Sequence, residues 1–344
     1  MTMNDGGPSP RFVRVAFASL AICFFGILAY AQQRVSAPHD PVPPKVDKPF
    51  ALPASSASSI VGGPWMVGTN FKSTIYVKNL VETAAVKVTP ILYLSNGARY
   101  VLADLDLSPG AIQEVDVNAA LQKLGVTPTA MLTGYMEIHY QWPWVPICAT
   151  IKDLDTADSL IFYYGSRTPI QLPNQPLPAA GPLTNAVEGV WWKQEPGVTG
   201  FLALSNTGGE SISVQVDVSD NLGVALAHHT VEVPSHQTVP VTLSELDSAS
   251  AQQGGIRVAY TANSHTSPVL INGGLEDQSI GYSAVIPFVP APSSASASKS
   301  TVAELGMMTG PVDPMLHFPQ GIIFTPYTVL RNISSAPLTI APTL

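Results

Sequence analysis

Apolar and polar residues alternate strictly between Ser211 and Val218, and this is the clearest pattern in the chain. The apolar positions of the run are Ile212, Val214, Val216 and Val218. A period of two over such a run predicts a strand with one buried and one solvated face. Similar short runs, separated by turn residues, recur along the chain, and no long helical period appears after the N-terminal segment. The pattern predicts an all-β protein.

The pattern is copied along the chain at a fixed offset of 126 residues. Trp65 recurs as Trp191, and Asn206 recurs as Asn332. The further pairs are strand or turn positions: Val86 and Ile212, Val88 and Val214, Gly97 and Gly223, Leu107 and Val233, and Val115 and Val241. A fixed offset over many positions indicates one structural unit that is repeated. We expect the two shared tryptophan rings to plug equivalent ends of their units.

Each complete unit contains about seven short strands in roughly 100 residues, which is typical of an antiparallel Ig-like β-sandwich. The first unit also predicts a short helix, with Asn118 as its cap, Leu124 near its end and Gly125 after it. The second unit matches the later strands of the first at a smaller offset. Insertions and deletions are therefore expected near this helix, where a surface connection absorbs them.

The order of strands and turns resembles that of bacterial extracellular Ig-like repeats, including the CARDB-type β-sandwiches. The resemblance is carried by equivalent residues in the two units: Asn79, Gly97, Pro109, Gly110 and Val115, and then Asn206, Gly223, Pro234, Ser235 and Val241. It covers the first part of each unit. It implies a cell-surface or adhesive role and transfers no catalytic residue.

Proline-rich segments divide the chain into tandem sandwiches, and we expect these segments to act as spacers. The predicted organisation is a signal peptide at 1–31, a Pro/Ser-rich linker at 32–62, a first sandwich repeat at 63–167, a Pro-rich linker at 168–187, a second sandwich repeat at 188–289, a linker at 290–302 and an incomplete third repeat at 303–344. For the third repeat three explanations stay open: packing on the second sandwich, completion by a partner chain, or an interrupted reading frame.

The N-terminus has the features of an export signal. Arg11 and Arg14 precede an apolar run at 15–30, and Ala29-Tyr30-Ala31 has the small-x-small pattern of a cleavage site. We expect a signal helix and cleavage before Gln32, with an uncleaved membrane anchor as the alternative. Either outcome predicts an extracytoplasmic protein, in the periplasm, at the cell surface or secreted.

The composition narrows the classes of partner. The chain is 46% hydrophobic and 12% charged, with a net charge of −8. An acidic chain without a Lys/Arg cluster argues against nucleic acid or an anionic membrane surface as partner. The sequence contains no nucleophile elbow, P-loop or dinucleotide-binding motif, so we expect a protein that is not an enzyme.

Three carboxylates, those of Asp153, Asp155 and Asp158, fall within six residues and form the main metal hypothesis. Calcium takes six to eight oxygen ligands and often finds them in such loops. No glycine supplies the sharp turn of an EF-hand loop, and a solvated turn is the favoured interpretation. Calcium stays possible, and no other cofactor is expected.

Three aromatic residues, Tyr140, Trp142 and Trp144, lie between two strands of the first repeat. The second repeat has no tryptophan there, which favours a surface role over a shared core role. Exposed aromatic rings bind sugars or partner proteins. The first hypothesis is therefore an exported repeat protein for cell-surface adhesion, spacing or assembly, with a protein or glycan partner. The alternative is a carbohydrate- or ligand-binding module that uses these rings.

The one cysteine outside the signal, Cys148, lies in the run Ile147-Cys148-Ala149, which predicts a buried strand. We expect its side chain to act as a small core hydrophobe.

Overall fold

The structure is a computed structural model of the chain. It describes residues 58–68, 71–128, 131–142, 145–154, 159–166, 183–193, 197–244, 246, 253–262, 268–277, 282–291, 310–311, 323–324, 330–332 and 337–341. The predicted signal peptide lies outside these ranges. The described part is built almost entirely of antiparallel strands, which confirms the all-β prediction. None of its helical residues form a segment long and apolar enough to span a membrane.

The first sandwich consists of two antiparallel sheets. Its strands are β1 (Ser58–Val67), β2 (Lys72–Asn79), β3 (Val86–Leu94), β4 (Arg99–Val101), β5 (Leu105–Leu107), β6 (Ile112–Asp116), β7 (Leu132–Tyr140), β8 (Ile147–Leu154), β9 (Ser159–Tyr163) and β10 (Gly165–Ser166). One sheet has the order β10-β1-β7-β3-β4, with β5 also paired to β3, and the other has the order β6-β2-β8-β9. We call the outer side of the first sheet the back face and the outer side of the second sheet the front face.

The second sandwich repeats this arrangement. Its strands are β11 (Leu183–Trp192), β12 (Thr199–Asn206), β13 (Ile212–Asp220), β14 (Ala225–Val233), β15 (Thr238–Thr242), β16 (Gln253–Ala262), β17 (Val269–Asp277), β18 (Tyr282–Val285) and β19 (Phe288–Pro290). The sheet β14-β13-β16-β11-β19 carries its back face, and the sheet β15-β12-β17-β18 carries its front face. The four apolar residues of the alternating run on β13 are buried in the core, as predicted.

A tryptophan packed over a glycine closes each core. Trp65 and Trp191 are 0% and 1% exposed, which confirms their predicted structural role. The ring of Trp65 covers Gly134, and the ring of Trp191 covers Gly254, so closely that a Cβ atom on either glycine would meet the ring at under 3 Å. The backbone of the neighbouring strand crowds each glycine from the other side. The repeat is therefore specified by a matched Trp–Gly pair and not by the tryptophan alone.

A buried asparagine fixes the same turn in both sandwiches. Asn79 donates through Nδ2 to the backbone oxygens of Ala84 and Leu107, at 2.9 and 3.0 Å. Asn206 donates to Glu210 and Val233 in the same way, at 2.7 and 2.9 Å. Buried polar groups are tolerated when they are satisfied in this manner. The asparagine is thus the structural basis of one of the repeated sequence positions.

Helix α1 (Val117–Lys123) occupies the predicted place, but its N-cap lies two residues earlier than predicted. Asp116, and not Asn118, is its N-cap and accepts from the backbone N–H of Ala119 at 2.9 Å. Gly125 follows the helix with a φ of 72°, where glycine avoids the steric cost of the left-handed region. Strand structure also extends into two ranges that the sequence assigns to linkers, because β1 begins at Ser58 and β11 at Leu183.

In the range of the predicted third repeat, the apolar residues near the end of the described chain are not part of a sheet. Pro337 to Ile340 is not in a strand, and Leu338 and Ile340 are 59% and 55% exposed. Alternation alone does not make a strand, since a ladder also requires a neighbouring strand. The strand pair found in this region joins β20 (Gly310–Pro311) to β21 (Ile323–Phe324).

Candidate functional site

The predicted aromatic surface is not supported at Tyr140. This ring is 3% exposed and packs in the first core together with Met136 and Ile138, which lie on the same side of β7. Burial raises the pKa of its phenol, and Ser58 forms a hydrogen bond with it. Tyr260 holds the equivalent place in the second sandwich and is 4% exposed. The assignment of Tyr140 to an exposed platform is therefore corrected to a shared core residue.

The two predicted tryptophans of this surface have different outcomes. Trp142 is half-buried and packs against the first core. Trp144 lies outside the described residues. The described part therefore brings no predicted aromatic ring onto an open surface.

Asp153, the first residue of the predicted metal site, has a buried carboxyl group. The side chain is 2% exposed and lies against the hydroxyl of Ser73, and the backbone N–H of Met66 donates to it at 3.3 Å. Burial raises its pKa to about 8. Ser73 also bonds the backbone oxygen of Met66 at 2.7 Å. Since a hydroxyl has one proton, a protonated Asp153 that donates to Ser73 satisfies both contacts. The carboxyl group of Asp153 is thus part of the buried interior and not of a solvated turn.

Asp155 and Asp158 lie outside the described residues. In the part of the chain that the structure describes, no three His, Cys, Asp or Glu side chains are grouped so that they could hold a metal ion.

Cys148 is exposed, which corrects the expectation of a core side chain. Its neighbours Ile147 and Ala149 face the core, so the alternation of β8 directs the thiol to the front face. It lies opposite Lys78 of β2 in the ladder. Partial burial raises the pKa of the thiol, and the charge of Lys78 acts in the opposite direction.

The back face of the first sandwich is covered by the front face of the second. At the centre of this junction the rings of Tyr93 and Tyr135 stack with 4.5 Å between their centroids and 4° between their planes. His236, from the turn between β14 and β15, stacks on Tyr93 at 5.5 Å and lies 3.3 Å from the hydroxyl of Tyr135. Tyr135 is 0% exposed and Tyr93 is 5% exposed.

Two apolar clusters extend the junction. The first is formed by Val61, Ile91, Tyr93 and Tyr135, with Leu270 of the second sandwich packed against them. The second joins residues of both sandwiches: Met66, Phe71, Leu160, Phe162, Phe201 and Val285. Buried aromatic and aliphatic area is the main favourable term in such contacts. The two sandwiches therefore pack directly on each other, in contrast to the expectation of domains held apart by spacers.

The sequence analysis missed these junction residues, although a signal for them was present. Tyr93 aligns with Ser219 and Tyr135 with Gly255, because each pair lies at the same position of its ladder. A large apolar residue at an outward position of one copy, matched by a small residue in the other, indicates a contact that only one copy makes.

The back face of the second sandwich has a different character. Glu188 is 4% exposed and lies between two arginines, Arg257 at 2.7 Å from Oε1 and Arg331 at 2.7 Å from Oε2. Arg331 also donates to the backbone oxygen of Gly189 at 2.9 Å. Its guanidinium lies on Gly255, where a Cβ atom would collide with it. Desolvation lowers the pKa of Arg331, while the charge of Glu188 acts in the opposite direction.

The front face of the first sandwich has no sandwich packed on it in the described part of the chain. Its outward residues form three rows across the strands, namely Ile112, Lys78 and Cys148; Glu114, Tyr76, Thr150 and Tyr163; and Asp116, Thr74, Lys152 and Ile161. Tyr163, Ile112 and Ile161 are 67%, 57% and 43% exposed. This face carries the largest group of exposed apolar side chains on one described sheet, together with three lysines, Lys72, Lys78 and Lys152, and the acidic Glu114 and Asp116.

Comparison with known proteins gave no family assignment. No protein-family model matches the chain, and no curated protein matches it.

Among solved structures the likenesses are weak. A candidate secreted protein from Parabacteroides distasonis is 10% identical over 64% of this chain and 80% of its own, with a TM-score of 0.19. The apo form of a lectin from Pleurotus ostreatus is 8% identical over 69% of this chain and 76% of its own, with a TM-score of 0.17. A β-glucuronidase of glycoside hydrolase family 2 is 12% identical over 69% of this chain and 24% of its own, with a TM-score of 0.14. Similarities of this size carry no argument about function.

Proposed function

We propose that this chain is an exported, non-enzymatic scaffold that acts in cell-surface adhesion, spacing or assembly. In this role the paired sandwiches form one rigid body, and the front face of the first sandwich is presented to a protein or glycan partner. The Ig-like resemblance and the predicted export signal support an extracytoplasmic location.

The observation that carries the proposal is the buried junction. A stacked pair of tyrosines with a histidine from the second sandwich, flanked by two apolar clusters, fixes both the distance and the angle between the sandwiches. Two sandwiches joined only by a flexible linker would hold neither a fixed distance nor a fixed angle between them. A fixed geometry is what a spacing or assembly element requires.

Rigidity is tested by measuring a distance across the junction. Spin labels are attached to cysteines at Lys123 and Leu222, which are exposed on different sandwiches, in a Cys148→Ser background. We expect a narrow distance distribution by double electron–electron resonance. Tyr135→Gly, which introduces the residue of the second sandwich, should broaden it because the aromatic stack is lost.

Tyr163→Ala is the matched control, because it removes an exposed tyrosine of the front face that is not in the junction. The distribution should stay narrow in this variant. A broad distribution in the unmodified chain would contradict the scaffold proposal.

Carbohydrate or ligand binding is the second candidate function. One observation favours a binding surface on the front face of the first sandwich and not at the predicted residues 140–144. Tyr163 is 67% exposed and shares a row of the front face with Tyr76, so rings on a flat sheet surface are available there. Aromatic faces of this kind stack on sugar rings. The front face, and not the run 140–144, is then the preferred platform.

A glycan array separates the two candidates. Binding that is lost in Tyr163→Ala would support the ligand-binding candidate on the front face. Binding that is lost only in Trp142→Ala or Trp144→Ala would return it to the loop after β7. A chain that binds no glycan while its junction is rigid would leave the scaffold proposal standing.

A further inference from the structure

The back faces of the two sandwiches differ in size and charge at equivalent positions. The first sandwich has Val61, Ile91, Tyr93 and Tyr135 where the second has Glu188, Asp217, Ser219 and Gly255, in that order. At these four places the first back face is large and apolar, and Glu137 lies between Val61 and Ile91. The second is small or acidic, and Arg257 lies between its Glu188 and Asp217. These faces cannot accept the same partner surface.

The front faces differ in the opposite sense. The second sandwich has Ala203, Ser205 and Gly274 where the first has Tyr76, Lys78 and Lys152. Its small residues lie in the junction; a Cβ atom on Gly274, for example, would meet Leu160 of the first sandwich and Phe201 of its own sheet. The first front face therefore projects Tyr76 and Lys78 at places where the second front face is small, and the charge of Lys78 is opposite to that of Glu188 on the second back face.

Arg331 shows how such a contact forms within one chain. It precedes Asn332, just as Lys78 precedes Asn79 and Ser205 precedes Asn206, so the three residues hold one position of the repeat. Arg331 fills the space above Gly255 and pairs with Glu188. A basic residue at this position of the repeat therefore contacts the second back face.

We propose that the front face of the first sandwich docks on the back face of the second sandwich of another copy of this chain, with Lys78 taking the place beside Glu188 that Arg331 holds in the single chain. The proposal rests on the scaffold function and names its partner. The contact joins two different surfaces, so it continues from copy to copy as an open assembly unless its rotation closes a ring. Arg331 competes for Glu188 and limits the assembly.

Sedimentation velocity of the full chain over a range of concentrations tests the proposal. We expect Arg331→Ala to assemble at a concentration about tenfold lower than the unmodified chain, because the competing arginine is gone. Adding Lys78→Glu should return Arg331→Ala to a monomer. The Lys78→Glu/Glu188→Lys exchange should assemble again, since the pair between copies is restored with its charges reversed and Arg331 is repelled.

Lys123→Glu is the control for a change of net charge, because this exposed lysine lies at the end of α1, away from both faces. Lys123→Glu/Arg331→Ala should assemble like Arg331→Ala. Protection of Cys148 from alkylation in the assembled state gives a second readout, since the thiol shares a row with Lys78. A cooperative thermal transition in each variant shows that it is folded.

A folded Arg331→Ala variant that stays monomeric at every concentration would overturn the proposal, and so would assembly that Lys78→Glu leaves unchanged. The distance across the junction is measured in parallel, in the spin-labelled chain with the Cys148→Ser background. A narrow distribution without assembly removes only the proposed partner, whereas a broad distribution removes the scaffold function as well.

Discussion

The first sandwich buries Ser73 and Asp153 at the place where the second buries Gly200 and Leu275. The two pairs are equivalent, since each joins the same positions of two neighbouring strands. In the second sandwich Leu243 and Leu275 occupy the space that a side chain at Gly200 would need. One copy fills the site with hydrocarbon and the other with a hydrogen-bonded carboxyl group. A repeated fold therefore tolerates a polar interior when the group is bonded and uncharged.

The comparison also shows what the two copies hold in common. The shared residues are the Trp–Gly pair, the buried asparagine and the alternating apolar positions, all of which serve the interior. The copies differ in the faces and in the Ser–Asp site. The predictions below test whether equivalent residues have equal energetic weight, beginning with the largest expected effect.

Trp65→Ala and Trp191→Ala should each lower the free energy of unfolding by about 3–5 kcal/mol, because each leaves a large cavity. Substitution of each tryptophan by phenylalanine compares the two indole N–H groups, because it removes the N–H and keeps an aromatic ring. Trp65 donates through Nε1 to the backbone oxygen of Tyr135 at 3.0 Å, whereas Nε1 of Trp191 has no hydrogen-bond partner among the described residues. Trp65→Phe should therefore cost about 1 kcal/mol more than Trp191→Phe. Urea denaturation measures both, and equal costs would contradict the assigned bond.

Asp153 should make the first sandwich less stable as the pH rises. Its pKa is raised to about 8 in the folded protein, above the ordinary value of 3.8. Between these two pH values the folded state holds a proton that the unfolded state releases. The free energy of unfolding is therefore highest below pH 3.8, falls as the pH rises, and levels off above about 8. The change is on the order of a few kcal/mol.

Asp153→Asn should remove this dependence, because an amide can donate to Ser73 without titrating. Urea midpoints measured at several pH values are compared with those of Asp217→Asn, an exposed control on the back face of the second sandwich. A parent chain whose stability does not change over this range would show that Asp153 is ionised inside the fold.

Asn79→Ala and Asn206→Ala should each destabilise their sandwich by about 1–3 kcal/mol, because backbone oxygens lose a buried donor. The exposed Asn332 holds the same repeat position outside a strand. Asn332→Ala should change stability by less than about 0.5 kcal/mol. Thermal melting separates the three variants, and a large effect at Asn332 would indicate a third folded turn.

The smallest expected effect is a difference in thiol reactivity between the two front faces. Cys148 and Leu270 hold equivalent positions, but Leu270 packs in the junction. In a Cys148→Ser background, Leu270→Cys should be alkylated about tenfold more slowly than Cys148 in the parent chain. Similar rates would mean that the junction opens. Lys78→Ala should slow the reaction of Cys148 further, because the lysine charge opposes the raised pKa of the thiol.

Local patterns were sufficient for the strands and turns but not for the surfaces. Alternation identified β13 residue by residue, because each apolar side chain there faces one core. The same rule, applied to Met136, Ile138 and Tyr140, places the side chain of the tyrosine in the core. The surface prediction for Tyr140 rested on its aromatic character and not on this alternation. For Cys148 the error has the opposite sign: a buried side chain was predicted. Its neighbours Ile147 and Ala149 are buried, so the alternation along β8 directs the thiol outward.

The junction could not be predicted from local patterns, because it joins residues that lie far apart in the chain. Tyr135 and His236 approach each other only after both sandwiches have formed. The pairing of Glu188 with Arg331 is equally remote in sequence. Comparing the copies for size and charge at outward positions would have identified the residues, though not the surfaces that they contact.

The helix between β6 and β7 has a practical consequence. The spacing from tryptophan to glycine is longer in the first sandwich, Trp65 to Gly134, than in the second, Trp191 to Gly254, and α1 lies within the longer segment. Residues 122–127 at its end lie on neither the front nor the back face. A reporter or affinity domain inserted after Gly125 would extend a connection that already varies in length, so the chain could be immobilised or imaged with both docking surfaces left open.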